Sequence, residues 1–254
     1  MVSAAPKWEL KHFLWSFPFV GKVPYKGYFK EADAQLEEKE LKEKNLDTYL
    51  RGVSAFSTLG WFEDPLLSSM LAYKEHDLVA TLIHETTHAT LYIKNSADFN
   101  ERLATFVGNK GAELFYLQQE GPQSATYQLM LKEQSDEKLF SSFITQELAQ
   151  LEIWYKQNKK EDEPSRMQRI SEIQQKFKTE ILPQMKSTQY AKFGDIQLNN
   201  ARLLIYKTYV QDLSTFEKLY EAVGANMPKF ITACKKLEKH DNPEEGLKEL
   251  LLSR

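Results

Sequence analysis

LVATLIHETTHATLYIKNSADFNERLATFVGNKGAELFY, Leu78 to Tyr116, decides how the rest of the chain is read. It holds His84-Glu85-Thr86-Thr87-His88, an H-E-x-x-H pattern, and Asn100-Glu101-Arg102-Leu103-Ala104-Thr105 after a polar break at Lys94-Asn95-Ser96. Side chains four apart on a helix stand one turn above each other on one face, so His84 and His88 can offer two imidazole nitrogens to one metal ion. Glu85 lies about 100° further round, within reach of a water at that metal without being a ligand. Glu101, thirteen positions after His88, can supply a third ligand from a second helix. Two His and one Glu, with a fourth position for water, is the donor set of a catalytic rather than a structural zinc.

Two helices are expected here. Leu78, Leu82, Ile83, Ala89, Tyr92 and Ile93 recur at three-to-four spacing as a buried stripe, with Asp77 as cap. The second helix opens near Ser96 to Asp98 and runs through Phe99, Leu103, Phe106 and Val107 towards Leu114 and Phe115. Glu101, Thr105 and Gly108 share a face, and the last two are small enough for a close approach of the first helix. A chain of this composition contains H-E-x-x-H by chance on the order of once in a hundred, so a hydrogen-bonded helical His pair is the competing reading. Asp98-Phe99-Asn100-Glu101 also fits a capping box, with the Glu side chain folded back onto the helix start.

Working outward, 254 residues with 42% hydrophobic and 12% aromatic content support a real core. A net charge of −3 carries no basic field for nucleic acid. The single Cys234 excludes an internal disulfide and a Cys-based zinc site. No apolar run approaches the roughly 18 uncharged residues of a membrane span. Met1 to Pro6 fits either a natural start or the remnant of a removed signal. The compartment stays open: periplasmic or membrane-anchored in the second case, cytoplasmic in the first.

Ser16 to Tyr28 reads as extended, turning chain, Glu31 to Lys44 as a charged amphipathic helix, and Asp47 to Phe56 as a strand. The segment Val53 to Trp61 is a candidate edge strand for a substrate backbone, with Gly60 and Trp61 at its end; a plain strand and turn fit equally. Helices are expected over Ser124 to Gln157 (one or two), Ser165 to Met185, Leu198 to Val223, Met227 to Leu237 and Pro243 to Leu251, with Gly224 as a cap. The result is one domain over 1–254, α+β but mostly α. Residues 17–121 carry a small antiparallel sheet and the metal helices, and 122–254 form a helical part completing the cleft.

Phe17 to Phe29 (FPFVGKVPYKGYF), Ser57 to Leu71 (STLGWFEDPLLSSML), His84 to His88, Phe99 to Phe106 (FNERLATF) and Leu198 to Leu203 (LNNARL), followed by Tyr206 and Tyr209, together resemble the bacterial putative aminopeptidases. That family consists of gluzincin-type zinc metallopeptidases known chiefly by prediction, and the likeness covers about Phe17 to Phe230. The resemblance implies a zincin-like fold, one Zn²⁺ per chain held by His84, His88 and Glu101, Glu85 as general base, and a peptide or protein substrate. Members often carry a secretion or lipoprotein signal, which this chain does not show. An oxyanion donor is usually a Tyr, His or Arg. Tyr206 and Tyr209 are candidates, with Asn199, Asn200 and Arg202 as substrate contacts; core tyrosines with satisfied hydroxyls fit the same spacing. Glu63 or Glu113 could hold the free ammonium group an aminopeptidase recognises. A zinc endopeptidase and a non-catalytic binding protein on the same scaffold are the alternatives.

Overall fold

The computed structural model describes residues 1–18, 21–52, 70, 72–158, 162–209 and 213–252. Its described part is mostly helical α+β with small antiparallel sheets near the N-terminus. The chain divides into two compact units, one of Met1–Gly52 with Leu131–Gln211, the other of Val53–Met130 with Asp212–Arg254.

The first unit is built on β1 (Val2–Pro6), β2 (Trp15–Phe17), β3 (Gly21–Val23), β4 (Tyr25–Lys26) and β5 (Leu46–Leu50). β1 lies between β4 and β5, antiparallel to both, with Val2 opposite Lys26 and Leu50 and Pro6 opposite Leu46. Val2 and Ala4 are fully buried under α1 (Glu31–Glu43), which closes over the strand through Ala34 and Leu41, and Ala5 is buried on the other face. The strand expected over Asp47 to Phe56 is thus β5 in its first part, and residues 53–69, Gly60 and Trp61 among them, lie outside the described residues.

The long helix α4 (Ala125–Gln157) carries Phe140, Phe143, Ile144, Leu148, Leu151 and Tyr155 at three-to-four spacing. They pack on Ile170 and Ile173 of α5 (Glu163–Lys176) and on Leu203 and Leu204 of α6 (Asn200–Tyr209). Asp47 is buried against Arg166 (2.7 and 3.1 Å), a two-pronged pair that Glu163 completes. Two expectations are corrected here. The helix from Ser165 ends at Lys176 and continues as a π turn (Phe177–Ile181) and a 3₁₀ turn, where Pro183 removes a backbone donor. The helix expected over Leu198 to Val223 is two, α6 and α7 (Ser214–Ala222).

The second unit holds α2 (Glu75–Thr90), α3 (Ala97–Glu120), α7, α8 (Met227–Cys234) and α9 (Pro243–Leu252). Phe99, Leu103, Phe106 and Val107 of α3 meet Phe216, Leu219, Phe230 and Leu247 in one apolar cluster. Gly121 (φ +85) ends α3 and Gly224 (φ +81) follows α7, both in the left-handed region that glycine adopts without strain.

Candidate metal centre

α2 begins three residues earlier than expected, and Lys74 rather than Asp77 is its N-cap. Its threonines do not break it, because Thr81, Thr86, Thr87 and Thr90 each donate to the carbonyl four residues back. The inward face also differs from expectation. Leu82 and Ala89 are exposed, whereas His76, Thr87 and His88 are buried. The apolar stripe gives way because α3 meets α2 along the histidine side.

That meeting is close because α3 is small where the two helices touch. A Cβ on Gly108 would stand 2.7 Å from the Ala80 carbonyl oxygen and 3.2 Å from His84 Cβ, and one on Gly111 would press on the end of Ile83. The expected close approach at Gly108 is therefore present. It brings Glu101 of α3 against the imidazoles of α2.

His84 Nε2 and His88 Nε2 are 3.1 Å apart, Glu101 Oε2 is 3.4 Å from the first and Glu101 Oε1 is 3.8 Å from the second. Donor atoms around a tetrahedral zinc with bonds near 2.1 Å stand roughly 3.4 Å from one another. The three side chains thus form a group that could hold a metal ion, and their donor types suit zinc. The capping-box reading of Glu101 is set aside by this placement. Helix α3 starts at Ala97, its N-cap Ser96 makes no side-chain cap, and the Glu101 carboxylate turns to the two imidazoles. Burial pushes the His88 imidazolium down to about 4, against the pull of the Glu101 carboxylate and with the help of His84, so at neutral pH the ring is an uncharged donor. His88 Nδ1 is buried with no hydrogen-bond partner among the described residues. Glu85 sits half-buried on α2 one position from His84.

The sequence profile of the putative aminopeptidase family matches residues 1–250. The chain belongs to that family. No curated protein and no solved structure matches it significantly. For a putative aminopeptidase, a buried His-His-Glu group on two consecutive helices is where the chemistry is to be sought.

The other candidate residues fall elsewhere. Asn199, Asn200, Arg202 and Tyr206 belong to the first unit, where their polar groups are engaged. Asn200 is fully buried. Its amide donates to Pro6 and Lys7 carbonyls (both 2.9 Å), its Oδ1 accepts from the Tyr155 hydroxyl, and its backbone N–H reaches Asp47. Asn199 bonds the Thr48 carbonyl, and Arg202 lies over the Tyr49 ring at 4.7 Å. Tyr206 packs edge-on to Phe140 and Phe193, and burial pushes its hydroxyl up. Tyr209 closes α6, but its side chain is outside the described residues, as is Glu63. Glu113 is paired with Lys110 at 2.9 Å.

Two residues near the centre, expected only as members of a helical stripe and of the motif, have partners there. Tyr92 places its ring at 70° to the His88 ring, centroids 6.4 Å apart; its position four after His88 was the available signal. Asn100, next to Glu101, is buried with both ends of its amide bonded to Ile93.

Proposed function

We propose that this chain is a zinc-dependent peptidase on a zincin-like scaffold, and that it acts as an aminopeptidase. What supports this is the spacing of donor atoms on three side chains, 3.1 to 3.8 Å, on two helices of a chain whose family is described as putative aminopeptidases. In this reading His84, His88 and Glu101 hold the ion. A zinc ion held there would supply Lewis-acid polarisation of a scissile carbonyl and acidify a water. Glu85 takes a proton from the attacking water and returns it to the leaving amine. The uncharged His88 ring keeps its nitrogen lone pair available at neutral pH, and the Glu101 carboxylate offsets part of the cation's charge in a half-dry setting.

The pairing of Glu113 with Lys110 favours a second reading, an endopeptidase. A carboxylate already facing an ammonium group is a poor anchor for a substrate's own. The test is metal analysis together with cleavage of matched free and N-acetylated peptides. An aminopeptidase cleaves only the free forms, and cleavage of both assigns an endopeptidase. Glu85→Gln should retain stoichiometric zinc and lose activity by about 10² to 10⁴. Wild-type turnover in that variant, or wild-type protein that takes up no zinc, overturns the proposal.

A further inference from the structure

We infer that Asn100 is a positioning residue for the metal ligands: its side-chain amide staples the connection between α2 and α3, so that Glu101 arrives at the imidazoles of α2 at ligand distance. The inference rests on the metal-centre reading above. The connection runs from Leu91 to Ser96 and turns at Asn95, which adopts a left-handed conformation (φ 62). Ser96 gives α3 no side-chain cap. The first turn of α3 is instead tied down from inside. Asn100 Oδ1 accepts from the Ile93 N–H at 2.9 Å, and Asn100 Nδ2 donates to the Ile93 carbonyl at 2.7 Å.

A primary amide carries an acceptor and a donor side by side, the complement of one residue's backbone pair. An aspartate in its place keeps only the acceptor, an alanine neither, and a glutamine sets the pair one carbon further out. Asn100 is 2% exposed and Ile93 5%, so water cannot take over these bonds. Ile93 also anchors its side chain beside Phe99 and Leu103 of α3, which fixes where its backbone stands. The staple acts in both directions. On one side its neighbour Glu101 faces His84 and His88; on the other, Tyr92, next to Ile93, lies against the His88 ring. Asn100 touches no donor atom itself, so its effect is on the relative placement of the two helices that bear them.

The experiment uses Co²⁺ as the probe, titrated by visible absorption into the full metal-free chain and into Asn100→Ala, Asn100→Asp and Leu247→Ala. Leu247→Ala truncates a fully buried side chain on α9 and serves as a control for lost stability. Loss of a residue that orients ligands lowers metal affinity roughly 10- to 100-fold. We expect a loss in that range with an altered absorption spectrum for Asn100→Ala, and a smaller loss for Asn100→Asp, which keeps the bond from the Ile93 N–H. Leu247→Ala should unfold at lower urea with affinity within about twofold of wild type. Should Asn100→Ala not fold, Asn100→Asp carries the test. Folded Asn100 variants with wild-type affinity and spectrum overturn the inference, as does a control that loses affinity equally. A wild-type chain that binds no Co²⁺ overturns the metal reading itself and this inference with it.

Discussion

Replacing Gly108 by alanine tests the closeness of the two helices on which the centre depends. By intrinsic propensity the change should help, since alanine is favoured over glycine inside a helix by about 0.8–1.0 kcal/mol. The packing opposes it. The new Cβ would lie 2.7 Å from the Ala80 carbonyl oxygen, whereas carbon–oxygen contacts settle at about 3.3–3.6 Å. At least about half an ångström must be found by moving backbone, because the obstructing atom is not on a side chain that can rotate. Overpacking of this kind costs about 1–3 kcal/mol, so after the propensity gain the net effect is a destabilisation of up to about 2 kcal/mol. The same shift displaces His84, whose Cβ would be 3.2 Å from the added methyl, and zinc affinity should fall by about tenfold or more. Gly111→Ala is the matched comparison. Its Cβ meets only the Ile83 side chain at 2.9 Å, whose end can turn away, and the outcome should be neutral to about 1 kcal/mol stabilising. Urea denaturation of the metal-free proteins and a competition titration with Zn²⁺ read both quantities. A Gly108→Ala protein more stable than wild type with unchanged zinc affinity would refute the packing of α2 on α3.

The His88 ring titrates near 4 when folded against 6.5 as the reference, so between those values the unfolded chain holds a proton the folded chain lacks. Stability of the metal-free protein is accordingly lost as pH falls from 6.5 to 4, by up to about 3 kcal/mol, and is flat above 6.5 as far as this group is concerned. Urea midpoints at pH 7 and pH 4.5 should show a smaller acid loss in His88→Gln than in wild type; equal losses would count against the burial of this ring. In the first unit, Arg166→Ala leaves Asp47 buried without its partner and should cost about 3–5 kcal/mol, and a loss below about 1 kcal/mol by the same melts would contradict the pairing.

What was legible in the sequence is what local spacing encodes. The two His share a face because they are four apart, and Gly108 was visible as the small residue opposite them. The end at Gly224 follows from single-residue chemistry. The polar role of Asn200 was not legible: its partners Pro6 and Lys7 lie 194 and 193 positions away, and nothing local marks them. β1 escaped for a similar reason. Val-Ser-Ala-Ala-Pro has no alternation to read, and its small side chains make sense only once α1 lies over it. The start of α7 at Ser214 was hidden by an apolar period that runs on past Leu213. Asn100 was read as part of a motif rather than for its amide, since the backbone it bonds is irregular and cannot be foreseen from periodicity.

All three donor side chains come from one helical hairpin, within the span His84 to Glu101. Closing so short a stretch costs less chain entropy than joining Asp47 to Arg166, 119 positions apart, by about 2 kcal/mol. The side chains that could hold an ion are thus close in sequence, although α3, which carries Glu101, also packs on α7, α8 and α9. Among the described residues the candidate centre therefore draws on the second unit alone, whereas the Asp47–Arg166 pair belongs to the first.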